Sequence, residues 1–187
     1  MEPLMPLGLA SLSTVLLSEG FDVKVFDTTM YKDDNEISNS QKARMCSLQV
    51  EFVDYTSVGV KPIDKDYMED FNRVLAEYKP DLFGLLCVEL TYLKGLRMLK
   101  SAKDFGIPTI VGGSFATFSP DEVISSNFVD MVCVGEGEIA IVELAKRMSE
   151  GKGISGIPNL LIKRSEIFDE EGDNIFTELS EKYGSVL

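Results

Sequence analysis

The chain has no histidine and no tryptophan, and only three cysteines among its 187 residues. Without histidine it lacks the parts for a Ser-His-Asp or Cys-His nucleophile, a His-ligated metal, or an imidazole ligand to a cofactor metal. Cys46, Cys87 and Cys133 lie far apart, with no CxxC pair or CxxxCxxC cluster. Neighbouring residues therefore build neither a zinc site nor an iron–sulfur site. Positive charge is also scarce: 18 Lys and Arg stand against 31 Asp and Glu, a net charge of −13. Such a surface repels a phosphate backbone, so nucleic acid is not an expected partner. No apolar run reaches the roughly 18 residues of a membrane span, and the opening residues lack the basic start of a signal peptide. The expectation is a soluble, cytoplasmic chain, and the odd cysteine count suits a reducing compartment.

What is present has a regular order. Pro6, the apolar Leu9, Leu12, Val15 and Leu16, and a stop at Gly20 predict a helix. Phe21–Asp27 alternates and predicts a strand. Residues 28–62 are polar and irregular, the mark of a lid or excursion, with a short strand possible at Val50–Val53. Asp64 is placed to cap a helix carrying Met68, Phe71, Val74, Leu75 and Tyr78, which Pro80 terminates. Leu82–Val88 is a continuous apolar run, as a strand buried on both faces requires. A helix over Leu93–Phe105, a strand over Pro108–Val111, a capped helix from Ser119 and a strand over Val129–Val134 follow. Gly137–Glu150 then predicts a helix and Leu160–Lys163 a last strand. Strands alternating with helices through short connections imply a parallel sheet covered by helices, an α/β fold. Cys87 and Cys133 fall inside apolar strands and read as small core residues. Residues 1–163 form the expected domain. Residues 164–187 form an acidic tail or a linker, with no Lys or Arg between Glu166 and Glu181.

In such a sheet, ligands bind outside the carboxyl ends of the strands. Three loops fall there: Glu89-Leu90-Thr91-Tyr92, Gly112-Gly113-Ser114-Phe115-Ala116-Thr117, and Gly135-Glu136-Gly137-Glu138. Glycine permits close backbone approach to a ligand, and backbone N–H and hydroxyl groups can donate to a polar tail or phosphate. A glycine pair is also an ordinary turn, and Glu136 and Glu138 equally complement a helix N-terminus. Neither a P-loop nor GxGxxG is present.

The ordered set of segments resembles the cobalamin (vitamin B12)-binding domain that precedes the radical-SAM barrel in many methyltransferases. Met5-Pro6-Leu7-Gly8-Leu9-Ala10 is similar to the family's Pro-Leu-Gly-Leu-Ala opening. Lys79-Pro80-Asp81-Leu82-Phe83-Gly84 is similar to its Pro-Asp-(hydrophobic)-(hydrophobic)-Gly segment, and Val111 through Thr117 to its Val-Gly-Gly-x-His-Ala-Thr loop. Asp130 through Glu138 matches its Gly-Glu-Gly-Glu segment, and Gly156-Ile157-Pro158-Asn159 its Gly-Ile-Pro-Gly stretch. The resemblance implies a flavodoxin-like, Rossmann-like three-layer fold holding cobalamin at the carboxyl edge, with the nucleotide tail threaded into the domain. Leu7 and Gly8 belong to the matched opening. By the same resemblance Gly112, Gly113, Ser114 and Thr117 line the tail's path, Gly135, Glu136, Gly137 and Glu138 flank it, and Thr91 and Tyr92 lie under the corrin ring.

This chain departs from the family in three places. Phe115 stands where the family has His, the first strand of the 2-1-3-4-5 sheet has no counterpart ahead of Pro6, and no CxxxCxxC follows residue 163. The resemblance thus implies a base-off methyl carrier without a His ligand. Its iron–sulfur cluster and S-adenosylmethionine would belong to a radical-SAM domain in cis or trans. The alternative is a vestigial interaction module that has lost the cofactor. A receiver-type signalling domain, suggested by Asp27 at a strand end, lacks an evident matching lysine.

Overall fold

The computed structural model describes residues 7–31 and 63–163. Residues 28–31 lie at the start of the excursion and are described. The rest of it, the short strand at Val50–Val53, the opening residues up to Pro6 and the acidic tail lie outside the described residues. The chain divides into two compact units, one comprising Met1–Met5 and Phe26–Ala76, the other Pro6–Val25 and Glu77–Leu187.

The larger unit is the α/β domain. Its elements are α1 (Leu7–Ser18), β1 (Phe83–Leu86), α3 (Glu89–Asp104), β2 (Thr109–Gly112), α4 (Ser114–Phe118), α5 (Pro120–Ser125), β3 (Met131–Cys133), α6 (Glu138–Ser149) and β4 (Leu160–Ile162). The sheet order is β1-β2-β3-β4. β1, β2 and β3 run parallel, with Phe83 opposite Thr109 and Ile110 opposite Met131. β4 closes the far edge antiparallel to β3, with Val132 opposite Leu161.

The two-residue period of the strands divides the core between the faces of the sheet. Val111 and Val132 join Tyr92, Leu99, Ala116, Val123 and Val129 on one face. Their neighbours Ile110, Met131 and Cys133 join Ala140, Leu144, Ile154, Ile157 and Leu160 on the other. Helices therefore cover both faces of β2 and β3, which is why those strands read as apolar runs. β1, expected to be buried on both faces, instead lies at the edge with Gly84 and Leu86 exposed. Asp130 ties the amino ends of β2 and β3 together. Its carboxylate accepts the Thr109 N–H at 2.9 Å and an ion-paired hydrogen bond from Lys103 Nζ at 2.6 Å.

α3 begins four residues ahead of the helix expected from Leu93, because Thr91 Oγ1 accepts the Val88 N–H at 3.1 Å and starts the helix there. Phe21–Asp27, expected as a strand, pairs with no described strand. Alternation marks two faces but supplies no partner edge, and a strand requires a ladder. β1 stands at the sheet edge, and among the described residues no strand occupies the place of the family's first one.

In the smaller unit, α2 (Tyr67–Tyr78) begins at Asp66, whose carboxylate accepts the Met68 N–H at 3.0 Å. The capping role expected of Asp64 thus falls two residues later. Phe26, Tyr31, Tyr67 and Phe71 form an aromatic cluster. The Tyr31 hydroxyl donates to Asp70 Oδ2 at 2.9 Å.

Candidate functional site

At the carboxyl end of the parallel strands, the larger unit opens a pocket of about 310 Å³. Gly8 and Leu12 come from α1, and Leu86 from the end of β1. Gly113, Ser114, Thr117 and Phe118 come from the β2–α4 turn and α4. Gly135, Glu136, Gly137 and Glu138 come from the turn between β3 and α6. The topology explains the convergence, since parallel strands deliver all their following loops to one edge.

The loops are fitted to one another. Gly113 has φ 100°, and a Cβ there would come 2.5 Å from the Cys87 carbonyl oxygen, so this turn lies directly on the end of β1. Thr117 Oγ1 donates to the Gly113 carbonyl at 2.9 Å and accepts the Gly135 N–H at 3.0 Å. One hydroxyl therefore joins the two glycine-bearing turns. Gly135 has φ 80°, and a Cβ there would meet nothing within 4 Å, so this residue faces open space.

Two acids, Glu136 and Glu138, are the only charged residues in the lining among the described residues. Ser11 Oγ donates to Glu138 Oε1 at 2.7 Å, reaching from α1 to the start of α6. That bond, with the backbone N–H groups of Glu138 and Gly137, holds the Glu138 carboxyl below the usual glutamate range. Glu138 already places a carboxylate in the first turn of α6, leaving little attraction there for a further anion. The donors suited to a ligand are backbone N–H groups and the Ser114 hydroxyl, set among apolar Leu12, Leu86 and Phe118. The buried thiols play no part in this chemistry: burial pushes Cys87 up to about 11 and raises Cys133 as well. Among the described residues no group of three His, Cys, Asp or Glu side chains could hold a metal ion. No described helix is long and apolar enough to cross a membrane.

Of the residues singled out from sequence, Gly8, Gly113, Ser114, Thr117, Gly135, Glu136, Gly137 and Glu138 line this pocket. Leu7 lies beside Gly8, 69% exposed and outside the lining. Gly112 ends β2, and a Cβ there would meet Cys133 Cβ at 3.9 Å rather than the pocket. Thr91 is occupied with Val88, and Tyr92 is buried with its ring 4.9 Å from that of Phe115. Neither lines the pocket. Sequence reasoning missed Leu12, Leu86 and Phe118; their signal would have been their position beside the strand ends, where an apolar residue faces the ligand edge.

The B12 binding domain family matches residues 41–145, more than half of the chain. An uncharacterized methyltransferase of Pyrococcus horikoshii is 26% identical over 99 residues, covering 51% of this chain and 22% of that protein. The radical S-adenosylmethionine methyltransferase TsrM from Kitasatospora setae shares the fold at a TM-score of 0.64 and 21% identity. That match covers 91% of this chain and 27% of TsrM in the structure with tryptophan substrate and a SAM analog bound. The structure of TsrM with cobalamin and a [4Fe-4S] cluster gives the same TM-score over 25% of its chain. The chain thus spans about a quarter of the length of these relatives. A doubly covered, mostly parallel sheet, a glycine-lined pocket at its carboxyl edge and the match over residues 41–145 together assign this chain to the B12-binding domain family.

Proposed function

We propose that this chain binds cobalamin at the carboxyl edge of its sheet and serves as the methyl-carrying part of a larger methyltransferase system. The observation that carries the reading is the pocket itself. Of its four lining glycines, Gly135 opens onto free space where a ligand can approach the backbone. Gly8, Gly113 and Gly137 let α1 and the two turns close tightly on Leu86, Cys87 and Leu12 to form the walls. Its volume of about 310 Å³ lies at the lower end of small-molecule pockets, about 300–1,000 Å³. That suits the nucleotide tail of a corrinoid better than the whole macrocycle.

Cobalamin, when bound, supplies a cobalt centre able to accept and pass on a methyl group. This chain's residues would hold the tail. The Ser114 hydroxyl offers a hydrogen bond, Gly135 gives space, and Leu12, Leu86 and Phe118 cover apolar surface. With no histidine in the chain, the bound form would be base-off without an imidazole from this protein. The radical-SAM chemistry of such a system would come from another domain, in cis or in trans. The curated relative's description as a methyltransferase and the cobalamin in a TsrM structure support this assignment.

One observation favours a second reading. Phe115, at the family's His position, packs on Tyr92 at 4.9 Å and is half-buried against the core. A scaffold that had given up its cofactor could retain this packing and act as an interaction module. Titration with hydroxocobalamin, read from the corrin absorbance bands, separates the two. Saturable binding that is lost on Ser114→Trp, which fills the pocket from a freely exposed helix start, supports the carrier. Folded protein with no spectral change supports the scaffold.

A further inference from the structure

The turn between β3 and α6 is held by Asn159, a residue outside the pocket lining. Asn159 precedes β4 and has φ 65°, a left-handed conformation uncommon outside glycine, asparagine and aspartate. Asparagine meets this backbone demand and adds a side chain. That side chain reaches the binding turn: Asn159 Nδ2 donates to the Glu136 carbonyl at 3.2 Å. The Asn159 carbonyl in turn accepts the Val134 N–H at 2.8 Å. One residue therefore grips the turn at both Val134 and Glu136.

The Glu136 carbonyl and the Gly137 N–H belong to one planar trans peptide and point in opposite directions. Anchoring the carbonyl on Asn159 therefore sends the Gly137 N–H the other way. This peptide is unusually free to turn over. Gly137 has φ −102°, and a half-turn of the plane would bring it to about +80°, which glycine accepts at no steric cost. Thr117 fixes the Gly135 N–H but leaves the Glu136–Gly137 peptide, two further along, to another anchor.

We propose that Asn159 is a positioning residue of the cofactor site, holding the Glu136–Gly137 peptide in one orientation at the pocket wall. The proposal rests on the cobalamin reading above. It concerns a residue that touches no ligand and acts through the turn.

Asn159→Gly tests it, because glycine retains the left-handed backbone and removes only the side chain. In the ligand-free protein, the Gly137 amide signal in a ¹⁵N spectrum should be single and sharp in wild type and shifted, doubled or broadened in N159G. The dissociation constant for hydroxocobalamin should rise about three- to tenfold, the worth of one hydrogen bond, with the melting temperature within about 3 °C of wild type. Unchanged affinity and an unchanged Gly137 signal would overturn the proposal. A lowered melting temperature with wild-type affinity would also overturn it, as that describes a purely structural residue. If wild type itself binds no cobalamin, the functional reading fails by itself. The Gly137 signal then decides the orienting role: a change in N159G upholds it, and none refutes it.

Discussion

At Gly113 the backbone sits at φ 100°, and an added Cβ would come 2.5 Å from the Cys87 carbonyl oxygen. Gly113→Ala therefore combines a strained conformation with a clash against backbone that has no room to yield. It should cost about 2–4 kcal/mol in urea denaturation. Gly112→Ala meets only Cys133 Cβ at 3.9 Å and should stay within about 1 kcal/mol of wild type. The sequence marks this glycine pair as special but not which member is indispensable, since that depends on the strand end lying across the turn. Glu138 makes a second prediction at this scale. Its carboxyl is held below the usual range by Ser11 and by the first N–H groups of α6. A depressed folded-state pKa contributes stability that is fully present above the unfolded value and lost as pH falls through the folded one. Wild type should therefore lose more stability than Glu138→Gln between pH 6 and about pH 3.5, compared by urea midpoints. Equal losses in the two proteins would remove Glu138 from the account.

Between elements, Thr117 is the joint. Its hydroxyl serves Gly113 on one side and Gly135 on the other, so the β2 and β3 turns move as one. Thr117→Val should cost about 1 kcal/mol and speed exchange of the Gly135 amide, and Thr117→Ser should restore both. A valine variant with wild-type exchange at Gly135 would show that the joint does not exist. The order of elements was legible in sequence because the unbroken apolar strands and the glycine stops each have a local physical cause. Leu82–Val88 and Val129–Val134 became β1 and β3, and Gly106 and Gly151 follow their helices with φ 73° and 65°. What local pattern does not carry is partnership. Phe21–Asp27 alternates yet pairs with no described strand, and β4 runs antiparallel although nothing in Leu160–Ile162 announces a direction. Thr91 and Tyr92 show the same limit. Both follow the end of β1, but one is taken up in starting α3 and the other turns into the core against Phe115.

For the molecule as a whole, the chain belongs to the B12-binding domain family. The pocket at the carboxyl edge of its sheet carries glycines and the uncharged Ser114 hydroxyl in its lining. Among the described residues its only charged lining groups are carboxylates, and the chain carries a net charge of −13. Simple anion attraction is therefore not what would recruit the ligand, and affinity must come from shape, hydrogen bonds and apolar contact. Binding should accordingly depend little on ionic strength. The direct test is titration of the purified chain with hydroxocobalamin at low and at moderate salt, followed by the corrin absorbance bands. The account predicts a saturable shift to the base-off spectrum, nearly equal at both salt concentrations and abolished by Ser114→Trp. Folded protein that gives no shift at saturating hydroxocobalamin would contradict it.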